Sequence, residues 1–214
     1  MLRDTTSNEL FTILIVTGLI FVTLAKLIAS KRFNDLISIA GNFKYLKIYG
    51  REQKFLDTFD ALLFVNLILS VSVFGSIIYQ NTMETKILSI NIIIKLIIGI
   101  GSLILIKVLI ERLIASLFDI DKIIDAYLFQ KISYKNFMGL LLIPMNALLL
   151  YSIPPSLTNI YIMVIILLII NLLGVMTSFK SYQSLIKHNF FYFILYLCAL
   201  EIAPYIILYK VFIA

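Results

Sequence analysis

Long uninterrupted runs of apolar residues dominate the chain, and short polar segments separate them. A helix needs about 20 mostly apolar residues to cross the hydrocarbon of a bilayer. Six windows reach that length, namely residues 9–29, 59–79, 87–109, 134–152, 157–179 and 190–213. Backbone groups must be satisfied internally in lipid, and the runs lack the alternation of barrel strands. The pattern therefore predicts an all-α polytopic membrane protein, a bundle of about six transmembrane helices in one domain spanning residues 1–214.

Composition agrees with this pattern and narrows the class. The chain has 214 residues, of which 61% are hydrophobic and 14% charged, whereas a globular domain carries roughly 25% charged residues. A soluble fold of this size could not bury so much apolar surface. A soluble enzyme, a disordered protein and a free nucleic-acid binder are thus excluded. The net charge of +6 then favours an anionic membrane face, so the lipid bilayer is the first expected partner.

The distribution of Lys and Arg predicts the orientation. With the N-terminus outside, three basic residues lie on the outer side, namely Arg3, Lys86 and Lys210. Fourteen lie on the inner side or its flanks, namely Lys26, Lys31, Arg32, Lys44, Lys47, Arg51, Lys54, Lys107, Arg112, Lys122, Lys131, Lys135, Lys180 and Lys187. This bias predicts an inner-membrane protein with both termini on the periplasmic side.

Two segments are expected on the cytoplasmic side. Residues 30–58 have helical periodicity broken by Gly41 and Gly50, and their basic residues share one helical face, namely Lys44, Lys47, Arg51 and Lys54. Tyr45, Ile48, Phe55 and Phe59 share another face, as in an interfacial amphipathic helix. This segment either anchors the protein to the membrane surface or docks a partner. Residues 119–135 are expected to form a second cytoplasmic loop.

Two intramembrane charges are the strongest candidates for a site. Lys95 and Glu201 each lie roughly 12 Å from the outer end of their span, at 1.5 Å of rise per residue. Ionisable groups in hydrocarbon are costly and usually have partners. We therefore expect the two to contact each other, directly or through water. The contact would either lock two spans together or form part of a proton or ion relay; a third possibility is that the residues do not meet.

Other residues could support the same interior. Glu111 follows Lys107 by four residues and can pair with it on one helical face. Asn91 lies on the stripe of Lys95, and amides also occur in other spans at Asn66, Asn146 and Asn171. Such residues serve a relay or, more commonly, helix packing.

Two prolines predict kinks within spans. Pro144 and Pro204 each remove a backbone donor, and Pro204 shares a helical face with Cys198 and Glu201. Cys198 is the single cysteine, so no internal disulfide can form, and its apolar surroundings favour an inert thiol.

Catalytic chemistry has little support. Asp121-x-x-x-Asp125 has the carboxylate spacing that intramembrane prenyltransferases use for magnesium diphosphate, but a second acidic cluster is absent. One His and one Cys make a zinc site very improbable, and no nucleophile elbow, zinc-protease motif or phosphate-binding loop is present. No metal and no cofactor are expected, and no catalytic residue is assigned.

The carboxyl-terminal stretch carries a family resemblance. Tyr-Leu-Cys-x-Leu-Glu-Ile-x-Pro, residues 196–204, resembles the end of a domain-of-unknown-function family of polytopic membrane proteins from Bacteroidota. The resemblance implies an inner-membrane protein of a Gram-negative envelope, and it implies no reaction. It places Cys198, Glu201 and Pro204 on the family's motif.

Three functions are therefore considered. The first is a non-catalytic subunit or assembly factor of a larger envelope complex, with other membrane or envelope proteins as partners. The alternative is a small proton- or ion-coupled transporter that uses Glu201, Lys95 and Glu111. An intramembrane enzyme acting on a lipid comes third. The sequence predicts no oligomeric state and no nucleic-acid partner.

Overall fold

A computed structural model describes residues 9–40, 44–50, 57–83, 90–117 and 121–188, and these ranges are helical apart from short turns. They contain seven α-helices, which are α1 (Glu9–Ile28), α2 (Ser30–Ile37), α3 (Lys44–Tyr49), α4 (Thr58–Met83), α5 (Ile90–Leu117), α6 (Asp121–Ala147) and α7 (Leu157–His188). A 3-10 turn, Ser38–Ala40, follows α2, and a π-helical turn, Leu148–Ser152, follows α6. The predicted all-α class is confirmed.

Four helices are long and apolar enough to cross a membrane. They are α1, α4, α5 and the Leu157–Gly174 part of α7, and they match the first, second, third and fifth predicted spans. The fold is therefore a helical membrane bundle. The predicted sixth span, residues 190–213, lies outside the described residues.

Helix α6 differs from its prediction. The fourth span was expected over residues 134–152, after a loop at 119–135, but the helix already begins at Asp121 and runs through Pro144 to Ala147. Residues 121–135 are thus helical rather than a loop. This part of α6 carries both acidic and basic residues, and two of them, Asp125 and Lys131, pair with oppositely charged residues near the end of α5. At Pro144 the α-helix continues, and the π-helical turn starts four residues later.

Helices α4 and α6 form the centre of the bundle. Helix α1 packs on α4, α7 packs on α6, and α5 contacts both central helices. Half of the apolar window of α4 is buried, against 11% for those of α5 and α7. The two central backbones approach closely at Gly139, where an added Cβ would lie 2.9 Å from Cα of Leu67. Small residues commonly permit such contacts between membrane helices.

The described residues form three apolar clusters; the smallest lies between α5 and α6, and a polar layer separates the two larger ones. One cluster is centred on Tyr45, Phe59 and Phe129, and the other on Val73 and Leu149. Between them α4 buries Asn66 and Ser70. The Asn146 amide of α6 donates to the Ser70 carbonyl at 2.9 Å, and the Ser70 hydroxyl donates to Asn66 Oδ1 at 3.4 Å. The polar layer thus joins α4 to α6, as expected of packing asparagines.

The two ends of the bundle carry different chemistry. At the end that we call the charged pole, Arg32 pairs with Asp57 and Asp60, and Lys131 pairs with Glu111. At the other end, the opposite pole, the Thr12 and Tyr151 hydroxyls are 2.6 Å apart and the Asn81 amide donates to the Pro155 carbonyl. The charged pole corresponds to the end predicted to face the cytoplasm, and the side of the membrane stays a prediction.

Within residues 30–58, the described residues include two short helices, α2 and α3, that pack against the bundle. Helix α2 buries Phe33 and Leu36. Helix α3 ends at the turn at Gly50, one of the two predicted breaks. The predicted apolar face is divided, because Tyr45 is fully buried against protein while Ile48 is exposed. Tyr45 thus contacts protein rather than the membrane surface, and the interfacial amphipathic helix stays a prediction, because residues 51–56 lie outside the described residues.

Candidate functional site at the charged pole

Arg32 organises the first half of the charged pole. It lies in the first turn of α2, and its guanidinium donates to a carboxylate oxygen of Asp57 and, at 2.6 Å, to Asp60 Oδ2. The guanidinium carbon lies 4.7 Å from the ring centroid of Phe59 and 5.5 Å from that of Tyr49. A planar fork of donors suits this bridging of two carboxylates. Arg32 thereby joins α2 to the start of α4.

Tyr45 completes this arrangement from α3. Its hydroxyl accepts a hydrogen bond from Arg32 Nε at 3.3 Å, and its ring stacks on Phe129 of α6 with centroids 5.7 Å apart. Burial, and next the nearby Asp60 carboxylate, raise the pKa of Tyr45 to about 12. The hydroxyl therefore stays protonated at neutral pH and remains a neutral partner for Arg32.

Glu111 and Lys131 form the second ionic contact. Lys131 Nζ donates to Glu111 Oε1 at 2.6 Å; the Glu111 side chain is fully buried, and that of Lys131 is 12% exposed. The ammonium also lies 5.6 Å from the Tyr127 ring centroid. The sequence analysis selected Lys107 as the partner of Glu111, whereas this contact comes from α6. It links α5 to α6 across their hairpin.

A further ion pair extends the contact between these helices. Arg112 Nε lies 3.5 Å from Asp125 Oδ1, and both side chains are partly exposed. Asp125 therefore acts as a partly solvated ion-pair partner, and Asp121 begins α6.

An open cleft adjoins both ionic groups. It has a volume of about 320 Å³ and lies between α4, α5 and α6. Its polar lining residues are Asp57, Asp60, Lys131, Lys135 and Asn136, and its apolar lining includes Phe64, Leu67, Ile104, Leu105 and Val108. The volume falls within the roughly 300–1,000 Å³ range of ligand sites.

Two buried polar side chains beside the cleft are neighbours of each other. Asn136 is fully buried and lies beside the Asp60 carboxylate, with which it interacts. The contact is geometrically incomplete, because neither the amide atoms of Asn136 nor Asp60 Oδ1 has a well-formed hydrogen bond in the described part of the chain. Buried polar groups are normally hydrogen-bonded, so these atoms call for an explanation.

Most of the residues that the sequence singled out lie elsewhere. Asn91 and Lys95 are exposed on α5, and Asn171 is exposed on α7. Asn146 is buried and bonded in the polar layer. Of the intramembrane candidates within the described residues, Glu111 is the one that belongs to the charged pole.

The remaining candidates fall largely outside the described residues. Glu201, Cys198 and Pro204 lie there, as do Arg51 and Lys54 of the predicted basic face. Lys44 and Lys47 of that face belong to α3. The contact between Lys95 and Glu201 and the kink at Pro204 thus stay predictions.

The sequence analysis missed Arg32, Asp57, Asp60 and Asn136 as site residues. The spacing of Asp57 and Asp60, three residues apart at the start of an apolar helix, could have indicated a site, because a membrane helix rarely carries acidic residues without a partner. Nothing local to Arg32 identified it, since its partners lie 25 and 28 residues further along the chain.

Together, the apolar bundle and its ion-paired end define a helical membrane-bundle protein. The chain belongs to the family described as a domain of unknown function (DUF4271), which it matches over residues 11–212. This confirms the resemblance to a domain-of-unknown-function family, while the origin in Bacteroidota stays a prediction. A comparison with curated proteins found no match, and neither did a comparison with solved structures.

Proposed function

We propose that the protein is a non-catalytic subunit or assembly factor of a larger inner-membrane complex, and that it docks through α5. The observation that carries the proposal is the exposure of Lys95 on a helix of membrane-spanning length. A charged side chain facing acyl chains is costly, by a few kcal/mol or more. A protein surface that covers this stripe would remove the cost.

The neighbours of Lys95 support the same interpretation. Asn91, Gly99 and Ser102 are exposed on the same stripe. A Cβ added at Gly99 would meet nothing within 4 Å, so another helix could approach closely there. Helix α5 thus offers both features of membrane helix interfaces, small residues and hydrogen-bonding groups.

Site-specific photo-cross-linking tests the proposal in the native membrane. A photoreactive residue at Gly99 should give adducts of a second protein, while the same residue at Ile13, exposed on α1, should give lipid adducts. Adducts at Gly99 that contain only lipid would contradict docking through α5. An intramolecular adduct with the peptide carrying Glu201 would also contradict it, and would support the predicted contact between Lys95 and Glu201.

The transporter alternative has weaker support from the charged pole. Glu111, one of its three proposed groups, is held in a 2.6 Å ion pair inside the bundle. The alternative predicts that Glu201→Gln abolishes transport while the protein still inserts. The proposed orientation has its own test. A reporter enzyme that is active only in the periplasm should be active when it is fused to Ala214.

A further inference from the structure

We propose that the cleft between α4, α5 and α6 binds a zwitterionic phospholipid. One acyl chain would occupy the apolar part, and the ammonium and phosphate of the headgroup would lie at the charged pole. This site is separate from the α5 stripe and does not depend on the proposed complex.

The shape of the cleft suits an amphiphile rather than a compact solute. Along α4 its lining runs from Asp57 to Leu67, a rise of about 15 Å at 1.5 Å per residue. The charged residues are at one end of this length, and the deeper wall is formed by Phe64, Leu67 and Leu105. A molecule with one long apolar part and one polar end matches this gradient.

The charges at the polar end are balanced. Asp57 and Asp60 contribute two carboxylates, and Lys131 and Lys135 contribute two ammonium groups. Arg32 and Glu111, which pair with members of this set, add one charge of each sign. A headgroup carrying both a phosphate and an ammonium can meet both signs, whereas a purely anionic headgroup would also face the carboxylates.

Individual groups can be matched to this headgroup. The Asp57 side chain is 38% exposed and, as a carboxylate, can accept a bond from a lipid ammonium in addition to that from Arg32. Lys135 on α6 is partly exposed and can meet the phosphate. The Asn136 amide lines the cleft beside the Asp60 carboxylate without a well-formed hydrogen bond, and its nitrogen can donate to an ester carbonyl of the lipid.

The absence of tryptophan from the sequence allows a direct test. Phe64→Trp places one fluorophore on the wall of the cleft, and Ile98→Trp places one on the exposed surface of α5. Each full-length variant is reconstituted in mixed bilayers in which either phosphatidylethanolamine or phosphatidylglycerol carries brominated chains. Bromine quenches nearby tryptophan, so relative quenching measures which lipid occupies each position.

At Phe64→Trp we expect brominated phosphatidylethanolamine to bind roughly tenfold better than phosphatidylglycerol, the size expected from one charge-assisted hydrogen bond. At Ile98→Trp the two lipids should quench equally. Adding Asp57→Asn, which removes the carboxylate that would accept from the lipid ammonium, should abolish the preference, while Asp125→Asn, an equal charge change outside the cleft, should preserve it. Equal quenching at Phe64→Trp, a preference for phosphatidylglycerol, or no quenching there would each overturn the proposal.

Discussion

The two poles of the bundle are held together by different means. At the charged pole, ion pairs join α2 to the start of α4 and α5 to α6, and most of the paired groups are withdrawn from solvent. At the opposite pole, neutral hydrogen bonds join exposed groups of α1, α4 and the turn before α7. Removing one member of a buried pair leaves an uncompensated charge, whereas an exposed hydroxyl is readily satisfied by water. Stability should therefore depend mainly on the charged pole.

The largest effect is expected from Glu111→Gln. It removes the charge opposite Lys131 and should lower the free energy of unfolding by about 3–5 kcal/mol, the usual cost of breaking a buried pair. Unfolding by SDS in mixed micelles, followed by circular dichroism, measures the loss. The double variant Glu111→Gln/Lys131→Met should recover most of it. A single variant as stable as the parent would mean that the pair is not a main support of the charged pole.

The next largest loss of stability is expected at the close contact between α4 and α6 at Gly139, which we call the seam. Gly139→Ala places a Cβ 2.9 Å from Cα of Leu67, so α4 and α6 must separate, at a cost of about 1–3 kcal/mol. Gly99→Ala is the matched control, because its Cβ would meet nothing within 4 Å and alanine favours a helix. The same SDS titration should show a loss at position 139 and none at position 99. Equal results at both glycines would contradict close packing at the seam.

Arg32→Lys tests whether geometry or charge matters at the charged pole. Lysine keeps the charge but cannot hold Asp57 and Asp60 in one planar fork, so we expect a loss of about 1–2 kcal/mol. Lys31→Arg, at the exposed neighbouring position, is the control and should change the unfolding free energy little. Full stability of Arg32→Lys would show that a point charge is sufficient.

The smallest expected effects come from the same substitution, tyrosine to phenylalanine, made at each pole. Tyr45→Phe removes the hydroxyl bonded to Arg32 and should cost about 1 kcal/mol, while Tyr151→Phe at the exposed opposite pole should cost less than about 0.5 kcal/mol. Both losses are read from the same unfolding curves. A larger loss at Tyr151 would reverse the proposed order of the poles.

The Tyr45 comparison should also depend on pH. The folded pKa is raised to about 12, from about 10 in the unfolded chain. The stabilising contribution of the protonated hydroxyl is therefore complete below pH 10 and is lost as the pH rises through 12. The difference between parent and Tyr45→Phe should shrink between about pH 10 and pH 12, and a constant difference would contradict the raised pKa.

The sequence predicted the class of fold well and the site poorly, for a physical reason. Run length and apolarity identify a membrane helix without reference to its neighbours, so four predicted spans match described helices. The partner of Glu111 depends on how two helices meet. Spacing along one helix selected Lys107, whereas the antiparallel packing of α5 and α6 brings Lys131 to the carboxylate.

Burial patterns have a related limit. An apolar face indicates that Tyr45 avoids water, but it does not distinguish lipid from protein as the alternative. In the structure that side chain contacts Arg32 and Phe129 rather than the bilayer. Lys95 and Asn91 are exposed among the described residues, and because Glu201 lies outside them, the predicted contact of Lys95 stays a prediction.

The close fit of α1 against α4 has a consequence for biosynthesis. Gly18 lies so near the Asn66 side chain that an added Cβ would be 2.8 Å from its oxygen, yet Asn66 is synthesised only after α1 is complete. Helix α1 must therefore wait in the bilayer without this neighbour. It has no ionisable residue between Glu9 and Lys26, so lipid alone can hold it until α4 arrives and fixes its position.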